Sequence, residues 1–170
     1  MTGQGGGLFQ GIQAITLDLD DTLWPVLPVL AQAKRELVEW LAPRAPLTAQ
    51  TLAAGRSVLA LKSHYPEHAH DMSWLRRRLL HDLLTELHED PALADPAFAV
   101  FLEARQRVTP WPEVEGILAS WARRYRIAAI TNGNADIHRT PLGRYFHASI
   151  SAPAFGAAKP DPRIFREAAR

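Results

Sequence analysis

The chain switches between short apolar runs and long stretches with helical spacing. Residues 12–19, IQAITLDL, are apolar and β-branched at Ile12, Ile15 and Thr16, which predicts a short buried strand. From Pro25 to about Arg107 the period becomes that of a helix. Leu30, Ala33, Leu37, Trp40 and Leu41 recur on one face, and APRAP (42–46) closes the segment. Residues 47–66 predict a weaker second helix, with Gly55 inside it and Pro66 ending it. Met72, Leu75, Leu79, Leu83 and Leu87 make the strongest stripe, with Asp71 in the N-cap position. Phe98, Phe101, Leu102 and Arg105 predict a fourth helix. Four such stripes can bury one another as a small bundle.

Beyond Arg107 strands return. Pro112 and Glu113 open a helix that runs through Val114, Ile117, Leu118, Trp121 and Tyr125. RIAAIT (126–131) predicts a second buried strand ending in the turn sequence NGN, HASIS (147–151) a third, and Asp161–Pro162 the start of a last helix. The order is strand, helical block, helix, strand, short helix, strand, helix. Strands alternating with helices predict an α/β fold with a doubly wound, Rossmann-like parallel sheet. Residues 12–24 and 109–170 then form the core, residues 25–108 a helical insertion after the first strand, and the glycine-rich residues 1–11 a flexible lead-in. Ligands in such sheets sit at the carboxyl ends of the strands. Asp18, Asp20 and Asp21 lie at that end of the first strand, and Thr131 at that end of the second.

Composition narrows the function. A net charge of +1 gives no case for a nucleic-acid or membrane-surface partner. The arginines of WLRRRLL (74–80) spread around a helix and read as a solvated face. The chain has no cysteine, which excludes disulfides and thiolate chemistry and fits a cytoplasmic location. No apolar run is long enough to span a bilayer, and the N-terminus lacks the regions of a signal peptide. Its glycines are not a P-loop, because no Gly-Lys-Ser/Thr follows them. His64, His68 and His70 invite a metal reading. Pro66 breaks the helical register they would need, so they read as solvated loop histidines that could meet a substrate if the helices fold over the site.

Three carboxylates at a strand end repel one another unless a cation intervenes, and a hard, oxygen-liganded ion such as Mg2+ meets that need. One carboxylate can act as nucleophile while its neighbour moves protons. Phosphoryl transfer then asks for a hydroxyl or amide donor and a lysine around the phosphoryl oxygens. Thr131 with the amide after it, and Lys159 before the last helix, supply them. Trp24 is the aromatic nearest the acidic loop, with packing an equal alternative.

In this order, LDLDDTLW (17–24), AITNGN (129–134) and AKPDPRIF (158–165) resemble the first three signature motifs of the haloacid dehalogenase superfamily. The helical block resembles a cap inserted after the nucleophile, and the motifs look most like the subgroup that includes flavin mononucleotide phosphatases. The resemblance implies a Mg2+-dependent phosphatase acting on a small phosphorylated metabolite. Asp18 is then the nucleophile and Asp20 the general acid and base. Mg2+ is held by the Asp18 carboxylate and the Asp20 backbone carbonyl. Thr131, Asn132 and Lys159 bind the phosphoryl group, and Lys159 also neutralises Asp18. Asp21 stands where many relatives have glycine and takes no catalytic role. Dehalogenases of the superfamily generally lack the second aspartate, so Asp20 favours phosphate esters over haloacids. The family's fourth motif, an acidic pair on a further strand, does not follow Lys159. This implies a truncated member with its first strand on an open edge and an incomplete Mg2+ shell, and a catalytically incomplete fragment is the main alternative.

Overall fold

The computed structural model describes residues 11–170. The expected lead-in, apart from Gly11, lies outside the described residues. Three parallel strands, β1 (Ala14–Leu17), β2 (Arg126–Thr131) and β3 (Ala148–Ser151), form a sheet in the order β1-β2-β3. The register pairs Leu17 with Ala129 and Thr131 with Ser151, so all three strands end at the same side. The central strand carries the core: Ile127, Ala129 and Thr131 are buried. β1 is shorter than residues 12–19 and its side chains are alternately exposed and partly covered. It lies at the sheet edge and pairs on one side only, which is why an apolar run that reads as buried is left half in solvent.

Between β1 and β2 come α1 (Val26–Leu41), α2 (Pro46–Ala53), α3 (Met72–Glu86) and α4 (Ala94–Arg105). They share an apolar core of their own that includes Ala33, Leu37, Leu41, Leu75, Leu83, Phe98 and Phe101. Asp71 caps α3 through Oδ1, which accepts from the amides of Ser73 and Trp74, both at 2.9 Å. The second helix is shorter than its sequence promised. Gly55 takes a φ of 108°, which ends α2, and Val58–Ser63 continue as a 3-10 turn. The first turn of α2 is capped from afar: Glu89 accepts from the amides of Leu47 and Thr48, each at 2.9 Å.

A second core joins Leu19, Leu23, Trp24 and Val29 to Leu118, Ile127, Ile137 and Phe146. α5 (Val114–Trp121) follows the helical block. The short helix expected between β2 and β3 is two 3-10 turns, Ile137–Arg139 and Gly143–Tyr145. A four-residue α6 (Ala152–Phe155), not predicted, follows β3, and α7 (Pro162–Ala168) starts where Asp161 caps it by accepting from the Arg163 amide at 2.9 Å. Among the described residues no helix is long and apolar enough to cross a membrane.

Candidate active site

The acidic loop is built around one buried leucine. Leu19 is fully buried, and its carbonyl accepts from the amides of Thr22 and Leu23 at 3.2 and 2.8 Å. Side chains alternate where the strand gives way to the loop, so burying Leu19 turns Asp18 and Asp20 to the opposite side. Asp21 closes the turn at a φ of 58°, a left-handed conformation that aspartate tolerates and glycine adopts freely. Its Oδ1 accepts from the Val26 amide at 2.9 Å and so caps α1. Asp21 is thus a structural residue of the loop.

Lys159 reaches this loop from the segment before α7. Its Nζ lies 2.8 Å from Asp18 Oδ1 and donates to the Ile130 carbonyl at 2.7 Å. The Asn132 side chain holds the lysine's backbone from both sides, accepting from the Lys159 amide at 2.7 Å and donating to the Lys159 carbonyl at 3.1 Å. Asn132 therefore ties the β2 turn to the Lys159 loop. Thr131 is buried, and its hydroxyl accepts from the Gly133 amide at 3.0 Å, which leaves the hydroxyl hydrogen to donate elsewhere.

Asp20 is clamped. Arg105 Nη2 donates to both of its oxygens at 2.6 Å, and Trp24 Nε1 donates to Oδ1 at 2.9 Å. Arg105 is 1% exposed and sits at the last residue of α4, so this ion pair joins the helical block to the acidic loop. Trp24 is fully buried, and its polar contact is with Asp20. A methyl placed on Gly133 would stand 2.7 Å from Asp20 Oδ2, 3.4 Å from the Thr131 hydroxyl and 3.6 Å from Arg105 Nη2. Asp20, Thr131 and Arg105 thus converge on the bare face of Gly133.

The sequence marks Arg105 only as a member of the α4 stripe. Its one available signal was a charged side chain a helical turn after Phe101 in an otherwise apolar row. The histidines do not form a site. His64 Nδ1 lies 3.0 Å from its own turn's Ala60 carbonyl, and His68 stacks on Trp74 with ring centroids 3.7 Å apart. Among the described residues no group of three or more His, Asp or Glu side chains is placed to hold a metal ion. The acidic loop offers hard oxygen donors of another kind. The Asp18 carboxylate stays partly exposed beside Lys159, and no donor among the described residues takes up the Asp20 carbonyl. These atoms fit a divalent cation that completes its shell with water.

A family model described as "Hydrolase: haloacid dehalogenase-like hydrolase" matches residues 12–170. The chain belongs to that family. Among its haloacid dehalogenase-like relatives are the Escherichia coli (strain K12) 5-amino-6-(5-phospho-D-ribitylamino)uracil phosphatase YigB, 30% identical, with 88% of this chain and 65% of the relative covered. The phosphoserine phosphatase of Thermus thermophilus is 31% identical, with 92% of this chain and 74% of the relative covered. Among solved structures, a 2-haloacid dehalogenase from Pseudomonas syringae pv. Tomato DC3000 superposes with a TM-score of 0.81 at 37% identity, covering 92% of this chain and 71% of that one. The chain spans 65% of the length of YigB. The helical block between β1 and β2 is the cap of this haloacid dehalogenase-like fold.

Proposed function

We propose that the chain is a Mg2+-dependent phosphatase that hydrolyses a small phosphorylated metabolite through an aspartyl phosphate on Asp18. The observation that carries this reading is the pair of carboxylates with different partners: Asp18 beside an ammonium group, and Asp20, two residues on, beside the Thr131–Gly133 turn. An Asp18 oxygen attacks phosphorus and the bond to the ester oxygen breaks. Asp20 gives its proton to the departing alkoxide. It then takes a proton from the water that attacks the phosphoryl group, the Asp18–phosphorus bond breaks, and inorganic phosphate leaves. The Thr131 hydroxyl, the Asn132 backbone amide and Lys159 hold the phosphoryl oxygens, and Lys159 offsets the charge shared by Asp18 and the substrate. The Asp18 carboxylate and the Asp20 carbonyl would hold a bound Mg2+, which would supply further neutralisation of the phosphoryl oxygens. A cytoplasmic location belongs to the same reading and is supported by the cysteine-free sequence.

The likeness to a 2-haloacid dehalogenase favours a second reading, displacement of halide from carbon by the same Asp18. Halide needs no proton to leave, so that chemistry has no use for Asp20. The test is turnover of p-nitrophenyl phosphate with Mg2+ and with EDTA, beside Asp18→Asn. The phosphatase reading expects Mg2+-dependent turnover that Asp18→Asn abolishes. Turnover of 2-chloropropionate in place of the phosphate ester would establish the dehalogenase instead.

A further inference from the structure

A buried ion pair is weak evidence for stability, because desolvating two charges offsets most of their attraction. The Arg105–Asp20 pair is a costly example. Arg105 is 1% exposed, and among the described residues its Nε and Nη1 have no partner and Asp20 is its one ion-pair partner. A second cation adds to the cost. Arg76, on α3, lays its guanidinium over the Phe101 ring, one helical turn before Arg105, and burial with the nearby charge of Arg105 pushes that guanidinium down to about 10. An apolar side chain at position 105 would avoid these costs, so the pair is to be explained by what it does to Asp20.

The donors treat the two oxygens of Asp20 differently. Arg105 Nη2 is 2.6 Å from each, and Trp24 Nε1 adds a bond to Oδ1 at 2.9 Å. Oδ1 therefore has two donors and Oδ2 one. Both donors stand on rigid supports. Arg105 is sealed at the end of α4, and Trp24 is fully buried, its carbonyl accepting from the Asp21 amide at 2.8 Å. Oδ2 is the oxygen beside the Thr131–Gly133 turn, 2.7 Å from where a Gly133 Cβ would stand. The Asp20 side chain keeps 23% of its surface exposed, so a substrate can reach the carboxylate although its clamp is sealed.

We infer that Arg105 and Trp24 are positioning residues for proton transfer: they anchor Oδ1 and hold Oδ2 of Asp20 toward the leaving oxygen of the ester. This rests on the phosphatase reading, in which Asp20 is the general acid. Loosening the clamp leaves Asp18, Thr131 and Lys159 in place and misplaces the proton donor. The loss then falls hardest on esters whose leaving oxygen most needs a proton.

The test is kcat/KM of the full chain, in Mg2+, for p-nitrophenyl, phenyl and p-methoxyphenyl phosphate, esters of similar shape with increasingly basic leaving groups. A positioned acid protonates each leaving oxygen, so the wild-type values should lie within about tenfold of one another. Trp24→Phe keeps a ring in the core and removes the N–H, and Arg105→Lys keeps the charge and loses the guanidinium. In both, phenyl and p-methoxyphenyl phosphate should lose about 100-fold and p-nitrophenyl phosphate no more than about tenfold. A merely structural role lowers all of them by one factor. Equal loss across the series, or no loss in either variant, overturns the positioning role and leaves the phosphatase reading standing. A steep dependence on the leaving group in the wild type overturns it even if neither variant folds. Failure of the wild type to turn over any of these esters overturns the phosphatase reading as well.

Discussion

Gly133→Ala puts one methyl group where the site is tightest. The added carbon would lie 2.7 Å from Asp20 Oδ2, about 0.7 Å inside the 3.4 Å at which ordinary contact begins. A free carboxylate could swing away at little cost. Asp20 is not free: Arg105 holds both its oxygens at 2.6 Å and Trp24 holds one at 2.9 Å. Arg105 in turn is fixed in the cap by burial. Either the clamp stretches or the β2 turn shifts, and overpacking of this kind costs about 1–3 kcal/mol. A misplacement approaching 1 Å at a reacting group lowers turnover by roughly 100-fold. Urea unfolding and p-nitrophenyl phosphate kinetics measure the two effects. Loss of kcat with a modest loss of stability is expected. A Gly133→Ala chain with wild-type kcat and stability would refute the convergence of Asp20, Thr131 and Arg105 on this glycine.

Lys159→Met removes the ammonium beside Asp18, and kcat/KM should fall by at least about 100-fold; unfolding free energy should change by no more than about 1 kcal/mol, because the pair is partly exposed and screened. Glu89→Gln weakens the cap on α2 and should cost about 1 kcal/mol at neutral pH. Burial works to raise the Glu89 carboxyl, but the bonds from Thr48 and the Leu47 amide outweigh it and hold the group below its ordinary 4.5. The unfolded chain then binds more protons as pH falls, so this stability is present above pH 4.5 and is lost on descending through the lower folded value; urea midpoints from pH 7 to pH 3 should decline less in Glu89→Gln than in the wild type. Asp21→Val places a β-branched residue at a φ of 58° and should cost about 2 kcal/mol in thermal unfolding, whereas Asp21→Gly should cost less, losing the bond to Val26 but relieving the backbone.

What the sequence revealed was local. β2 runs over Arg126–Thr131, as its apolar run and the following Asn-Gly turn predict, and Asp71 and Asp161 cap the helices they precede. These features depend on a few adjacent residues. The juxtaposition of Asp18 and Lys159 is not local, and it was reached through three motifs in a familiar order. Arg105 had neither route. It occupies an apolar stripe position, and its partner Asp20 is 85 residues away, so periodicity alone assigned it to packing. Glu89 was missed in the same way, because the α2 amides it caps lie 41 and 42 residues earlier. Gly55 was seen but underrated: its positive φ cuts α2 short where the apolar pattern continues. β1 stands at the open sheet edge that the missing fourth motif implies, and its apolar run overstated only how far that edge strand is buried.

In the proposed reaction a carboxylate oxygen of Asp18 accepts the phosphoryl group. Rapid acid quench of the chain during turnover of p-nitrophenyl phosphate with Mg2+, followed by peptide mass spectrometry, tests it directly. A phosphoryl group is expected on the peptide that holds Asp18, with none in Asp18→Asn. Steady turnover with no phosphoryl group trapped on Asp18, or with one on another residue, would rule this out.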